Sequence, residues 1–381
     1  MNNQFLKQDA MEEVVRILEI RGSSLKHRKC CIGFDGYIDT LFRIIKSREN
    51  NGTLGFYNTI EEFGERILKA SGKSADTGIY PVQQRAGGNA PIFANTLSTL
   101  GTAARCIALM GYPEIKGPFA GLSSDCERIS LGEPCETYAF EFDDGKLMFG
   151  NTANADELSW NGLINRVGLE RLKEIFAESE LVGLVNWSGL AGMNGILDGI
   201  VDTVLPAIDR ETLKRKLFFF DIADPTARSR EDFMHLAKIM AKICEKSLVM
   251  LGLNENEALQ IHQFVAPGSS ENDLIGVCMK LTDFLGISAL IVHLRDGAYA
   301  FTKKGFVESK GFFVGKPVLT TGGGDNFNGG FCTGQLLGMD MDQSLLLGNA
   351  VSSYYVANGR SPDLESIITY ISNFSREVDQ E

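Results

Sequence analysis

The residues best suited to chemistry in this chain are concentrated in Thr320-Thr321-Gly322-Gly323-Gly324-Asp325-Asn326-Phe327-Asn328-Gly329-Gly330-Phe331. Consecutive glycines let the backbone enter positive φ and bring bare N–H groups against a ligand. The unpaired N–H groups of a helix start, with the positive end of its dipole, bind phosphate or another anion. A carboxylate beside such a hole repels the anion unless it has its own task. Taking a proton from an attacking hydroxyl is such a task. Asp325 behind Gly322, Gly323 and Gly324 therefore points to phosphoryl transfer to an alcohol. The plainer reading is a glycine-rich turn whose Asp caps a helix.

Other segments could serve the same chemistry. Gly33-Phe34-Asp35-Gly36-Tyr37-Ile38-Asp39 sets two acids just beyond an apolar strand, Cys30 to Phe34, where open parallel sheets place their ligands. Either acid also suits a turn that bonds its own backbone. Arg85-Ala86-Gly87-Gly88-Asn89-Ala90-Pro91 opens a helix that runs to Leu100-Gly101, and its glycine pair again permits close approach. Asn254-Glu255-Asn256-Glu257 follows an apolar run, Ser247 to Leu251, and taken alone reads as a capping pattern at a helix start.

The elements that must carry these residues alternate regularly from residue 168 onward. Expected helices at Leu169–Ser179, Met193–Ile208, Glu231–Glu245 and Asn272–Leu285 alternate with apolar strands at Leu181–Trp187, Lys216–Asp221, Ser247–Leu251 and Ala289–His293. Wholly apolar strands between helices imply a parallel sheet covered on both faces. An antiparallel addition, Ala298–Thr302 and Phe306–Val314, leads to the glycine loop, and helices Asp325–Leu337 and Gln343–Asn358 close the chain. In the first half, helices are expected at Asp9–Ile20 and Thr59–Ala70 and a strand at Arg105–Met110, with 40–80 less regular. Tyr138, Phe140 and Phe142 alternate before Asp144-Gly145, the pattern of a hairpin that stands outside this rhythm.

At 381 residues, with 44% hydrophobic and 23% charged residues, the chain can bury a large core. Its net charge of −12 argues against a nucleic-acid partner bound through its phosphates. The eight cysteines show no metal-type spacing and sit mostly in apolar runs, as thiols do in a reducing compartment. No apolar run reaches membrane-spanning length, and Met1–Glu13 is polar and acidic, so a cytoplasmic protein with no membrane partner is expected.

Taken in order, these segments resemble the ribokinase-like group, the PfkB carbohydrate kinases. Gly322-Gly323-Gly324-Asp325-Asn326-Phe327 with Gly330 is similar to the family's D-T-x-G-A-G-D-x-F-x-x-G, with Leu319 in place of its leading Asp. Gly87-Gly88-Asn89-Ala90 through Leu100-Gly101 resembles its G-G-x-x-x-N…L-G, with Ile92 at the sugar-binding Asn position. Asn254 and Glu257 match N-x-x-E, Gly348-Asn349-Ala350 resembles the helix beside the adenine, and Val292 to Gly297 stands at V-T-L-G-x-x-G with Arg295 at a Gly position.

The resemblance implies an α/β, ribokinase-like three-layer sandwich with a central mostly parallel sheet. It further implies one kinase domain over 1–381 and a small β lid drawn from 37–86 and 135–152. It implies transfer of the ATP γ-phosphoryl group to a fructose- or ribose-type sugar, with a nucleoside kinase or a non-catalytic sugar- or nucleotide-binding relative as alternatives. The implied residues are Asp325 as base beside the Gly322–Gly324 amides; Asp39 or Asp35 with Gly87, Gly88 and Asn89 for the acceptor; Asn254, Arg295, Gly297 and Asn349 for ATP; and Glu257 with Asn254 for Mg²⁺. A homodimer through the lid is a further implication.

Overall fold

The computed structural model describes residues 2–271 and 273–378. Its strands are β1 (Lys29–Phe34), β2 (Tyr37–Arg48), β3 (Leu54–Phe56), β4 (Ile79–Gly87), β5 (Ala103–Leu109), β6 (Glu127–Gly132), β7 (Cys135–Phe142) and β8 (Gly145–Asn151). The second half adds β9 (Leu181–Leu184), β10 (Leu217–Asp221), β11 (Leu248–Asn254), β12 (Ala289–His293), β13 (Gly297–Thr302) and β14 (Gly305–Lys310). The large sheet runs β14-β13-β12-β11-β10-β9-β1-β5-β6. It is parallel except at the β12-β13-β14 edge, as the apolar strands require.

Leu217-Phe218-Phe219-Phe220 shows why this sheet needs two covers, because every one of its side chains is buried. Phe218 and Phe220 pack with Leu236 and Met240 of helix Arg230–Cys244 and with Leu281 of helix Leu274–Leu285. Phe219 points the other way, into a cluster with Phe93 and Leu97 of helix Asn89–Thr99 and Phe327 and Phe331 of helix Gly323–Leu336. The helices that carry the glycine pair and the glycine loop are thus clamped side by side on one face. Burying one such phenylalanine contributes roughly 2–3 kcal/mol, so the site rests on a rigid layer.

A second sheet, ordered β3-β2-β7-β8 with β4 also on β2, is larger than the expected hairpin. The twelve-residue β2 falls in the segment that reads as irregular, and it begins three residues after β1 ends. Strand β4 was hidden by Pro81. Pro lacks the N–H a central strand needs, and here it sits beside a register shift between Leu41 and Phe42. Other departures are local. Pro206 breaks the expected helix 193–208 into Met193–Gly199 and two short irregular turns. Strand β9 stops at Leu184, two residues before Asn186 takes φ 53°. Asn272, the expected start of one helix, lies outside the described residues. A third closing helix, Leu364–Val378, packs Ile367 and Ile371 against Met11, Val14 and Leu18 of helix Asn2–Arg21.

All eight cysteines are free thiols. Among the described residues no helix is long and apolar enough to cross a membrane.

Candidate active site

The carboxyl ends of β1, β9, β10, β11 and β12 deliver Asp35, Asn186, Asp221, Asn254 and His293 to one edge of the large sheet. The glycine loop meets them there. Gly322 is the N-cap of helix Gly323–Leu336 at φ 90°, and a side chain there would press on Tyr355 Oη at 2.9 Å and Ile92 Cδ1 at 3.1 Å. Three side chains tie the loop down by its oxygens. Tyr355 Oη donates to Thr321 O (2.9 Å), Ser352 Oγ to Gly323 O (2.9 Å) and Asn326 Nδ2 to Gly322 O (2.9 Å). Asn326 Oδ1 in turn accepts from Thr96 Oγ1 and Ser361 Oγ, which fixes the loop to the Asn89 helix. The Gly323 amide turns back onto Thr320 O at 3.1 Å. The amides that the first helical turn leaves without an internal acceptor are those of Gly324 and Asp325.

Asp325 lies in that first turn and is buried. Its carboxyl is held well above the usual range by burial first and then by the carboxylates of Asp221 and Asp35. A hydrogen bond from the Asn89 side chain works in the opposite direction, and Glu257 adds to the upward push. A carboxylate that gains basicity this way is better matched to a hydroxyl proton.

The two N-terminal acids separate cleanly. Asp35 is fully buried and its oxygens accept from Asn89 N (2.8 Å), Ala90 N (2.8 Å) and Asn186 Nδ2 (2.7 Å). It serves as the carboxylate cap of the Asn89 helix. Gly88 is the N-cap of this helix at φ 92°, and a side chain there would strike Asp35 Oδ2 at 2.9 Å. Asp39, half-buried on β2, lies across the strand pair from Arg85. Its carboxylate packs flat on Gly87, where an added Cβ would come within 2.5 Å. Burial raises its pKa, against a hydrogen bond from Thr137 and the charges of Arg85 and Lys146.

At the end of β11, Asn254 and Glu257 form a reciprocal capping box: Glu257 N donates to Asn254 Oδ1 and Asn254 N to Glu257 Oε2, both at 2.9 Å. The plain capping reading is thus correct as geometry. Burial and the nearby Asp221 carboxylate push the Glu257 carboxyl up. Asp221 is itself buried and raised, although it accepts from Ala223 N (2.9 Å) and Asn328 Nδ2 (2.8 Å). Asn349 is buried and spends its amide on Ser309 O and Lys310 O, fastening its helix to β14. Arg295 is exposed in the β12–β13 turn, and Gly297 is packed against Ser309 O.

Sequence reasoning missed Asp221, Asn186, Asn326 and Asn328. Asp221 carried a usable signal, since it is an acid ending a fully apolar strand. His293, seen only as part of a loop motif, packs tilted against Phe327, ring centroids 5.5 Å apart, with its Nε2 3.1 Å from where a Gly324 Cβ would stand. Burial lowers its pKa to about 4, so the ring is neutral beside the loop.

A doubly covered, mostly parallel sheet with a small second sheet and this glycine loop defines the ribokinase-like class of carbohydrate kinases. The chain belongs to the prokaryotic ketohexokinase family, whose sequence model matches residues 7–374. It is 26% identical over 371 residues to the ketohexokinase of Haloferax volcanii, covering 95% of this chain and 97% of that one. Its fold is that of the ribokinase of Thermotoga maritima (17% identity, TM-score 0.60, 91% of this chain and 99% of that one). It is likewise similar to Arabidopsis thaliana ribokinase complexed with ribose and ATP (14% identity, TM-score 0.60, 90% and 98%). The protein is a sugar kinase, a phosphotransferase with an alcohol group as acceptor.

Proposed function

We propose that this kinase transfers the γ-phosphoryl group of ATP to a hydroxyl of a ketohexose, with Asp325 as the base. The observation that carries the reading is the pairing of a buried, basic Asp325 with free first-turn amides, in a chain whose family is that of ketohexokinases. The acceptor lies between Asp39, Gly87 and Asn89, with a hydroxyl against Asp325. The hydroxyl oxygen attacks the γ-phosphorus, its proton moves to Asp325, and the bond to the β–γ bridging oxygen breaks with its electrons on ADP. The amides of Gly324 and Asp325 meet the charge on the phosphoryl oxygens, so catalysis is mainly orientation and electrostatics.

A Mg²⁺ ion fits beside Glu257, since its carboxyl, pushed up by burial and by the charge of Asp221, is relieved by a divalent cation. When bound, it supplies charge neutralisation to the ATP phosphates. Mg²⁺ keeps several of its waters and takes few protein ligands. Asn254 then positions Glu257, while the helix of Asn349 and the turn of Arg295 and Gly297 border the nucleotide.

We take the chain as one cytoplasmic kinase domain whose small sheet acts as the lid. Ile79, Tyr80 and Val82 of β4 and Met148 and Phe149 of β8 are exposed, and they support a second copy docking lid to lid. The test of function is ADP release from ATP and Mg²⁺ across ketoses, aldoses and nucleosides. D-fructose should turn over fastest. Turnover of nucleosides alone would replace the acceptor assignment, and no turnover with any acceptor would favour a binding protein.

A further inference from the structure

Five carboxylates, those of Asp35, Asp39, Asp221, Glu257 and Asp325, gather where a polyanionic nucleotide must react. Positive charge near them comes from the small sheet. Arg85 on β4 and Lys146 on β8 both act on Asp39. They line a cavity of about 300 Å³ between that sheet and the segment Pro317–Thr320, which enters the glycine loop. The two cations differ. Lys146 faces Glu141 at 4.0 Å, whereas Arg85 makes no ion pair among the described residues. Arg85 also acts on the hydroxyl of Tyr355, the group that donates to Thr321 O and is reached by the charges of Asp325 and Asp39. Arg85 thus stands opposite Asp39 in the strand pair and shares its cavity with the segment that enters the glycine loop.

We infer that Arg85 binds the phosphoryl group in flight, as a catalytic residue lent by the lid. This rests on the kinase reading above. Its planar fork can meet two phosphoryl oxygens at once, which a lysine cannot. As the acceptor oxygen bonds to phosphorus and the bridging oxygen leaves, Arg85 offsets the charge on the equatorial oxygens and neither gains nor loses a proton. The amides of Gly324 and Asp325 hold the phosphoryl from the helix side, and Arg85 holds it from the opposite side. The competing role, neutralising Asp39 alone, would act on sugar binding.

The test uses the full chain with ATP, Mg²⁺ and D-fructose. Arg85→Met should lower kcat about 10²-fold, the usual effect of losing one donor to transition-state charge, with KM for ATP unchanged. Added guanidinium ion should restore at least a tenth of the lost rate in Arg85→Met and do nothing for the wild type. Arg85→Lys should fall between the two. A loss confined to the fructose KM, or a kcat loss that guanidinium does not rescue, would overturn the inference. If Asp325→Asn is inactive while Arg85→Met keeps full kcat, this inference alone fails. Turnover by Asp325→Asn would instead bring down the base assignment beneath it.

Discussion

Gly322→Ala tests whether the glycine loop is the working part of the site. Two costs follow from the geometry. At φ 90° a Cβ is sterically strained, which costs about 1–2 kcal/mol. The new methyl would also sit 2.9 Å from Tyr355 Oη and 3.1 Å from Ile92 Cδ1. Displacing Tyr355 weakens its bond to Thr321 O, worth about 1 kcal/mol, so the total is about 2–3 kcal/mol. An unfolding entropy near 2.1 cal/mol/K per residue gives a chain this long about 0.8 kcal/mol per degree, hence a Tm drop of about 3 °C. Gly52→Ala is the control, because Gly52 has φ 88° with nothing within 4 Å. It should lose about 1–2 °C and no activity. Since Gly322 aims the first-turn amides, its alanine variant should lose about 10²-fold in kcat. Calorimetry with steady-state kinetics on both variants decides the matter. Wild-type kcat in Gly322→Ala would refute the loop's role, whatever the melting temperature.

Asp35→Asn puts an amide against three donors, so the urea midpoint should fall by the equivalent of at least about 2 kcal/mol. Asp39→Asn should leave the midpoint nearly in place and raise the fructose KM, and the reverse pattern would exchange the two roles. Asn254→Ala removes a helix cap worth about 1 kcal/mol and should raise the Mg²⁺ concentration for half-maximal rate. An unchanged Mg²⁺ requirement would leave this pair as a cap only. Lys216 is 2% exposed, donates to Ala177 O and Ser179 O, and has its pKa lowered to about 8 by burial. Its charged form is disfavoured in the fold, so its contribution is fully present above the unfolded pKa, near 10.4, and is lost as pH falls toward 8. Stability should therefore rise between pH 8 and 10 by at most about 3 kcal/mol, and Lys216→Met should flatten that rise in urea titrations.

The parallel sheet was legible because strands such as β10 and β12 are apolar on both faces, which only a doubly covered sheet allows. The glycine loop was legible because its glycines and acid are contiguous. The small sheet was mostly hidden. Strand β2 is half-buried along much of its length, so its polar and apolar residues do not alternate cleanly, and Pro81 disguises β4. Asp35 and Asp39 were indistinguishable in sequence because only the third dimension supplies the three donors that consume Asp35. Asn254 and Glu257 show the opposite limit. Their spacing serves a cap and a metal-water site equally well, and the cap geometry is consistent with both.

The central claim is that Asp325 takes the acceptor proton. It is tested most directly by rapid-quench single turnover of Asp325→Asn with γ-labelled ATP, Mg²⁺ and D-fructose, alongside ATP binding by calorimetry. The account predicts that phosphoryl transfer falls by at least about 10²-fold while ATP binding stays close to wild type. Transfer within tenfold of the wild-type rate would contradict it.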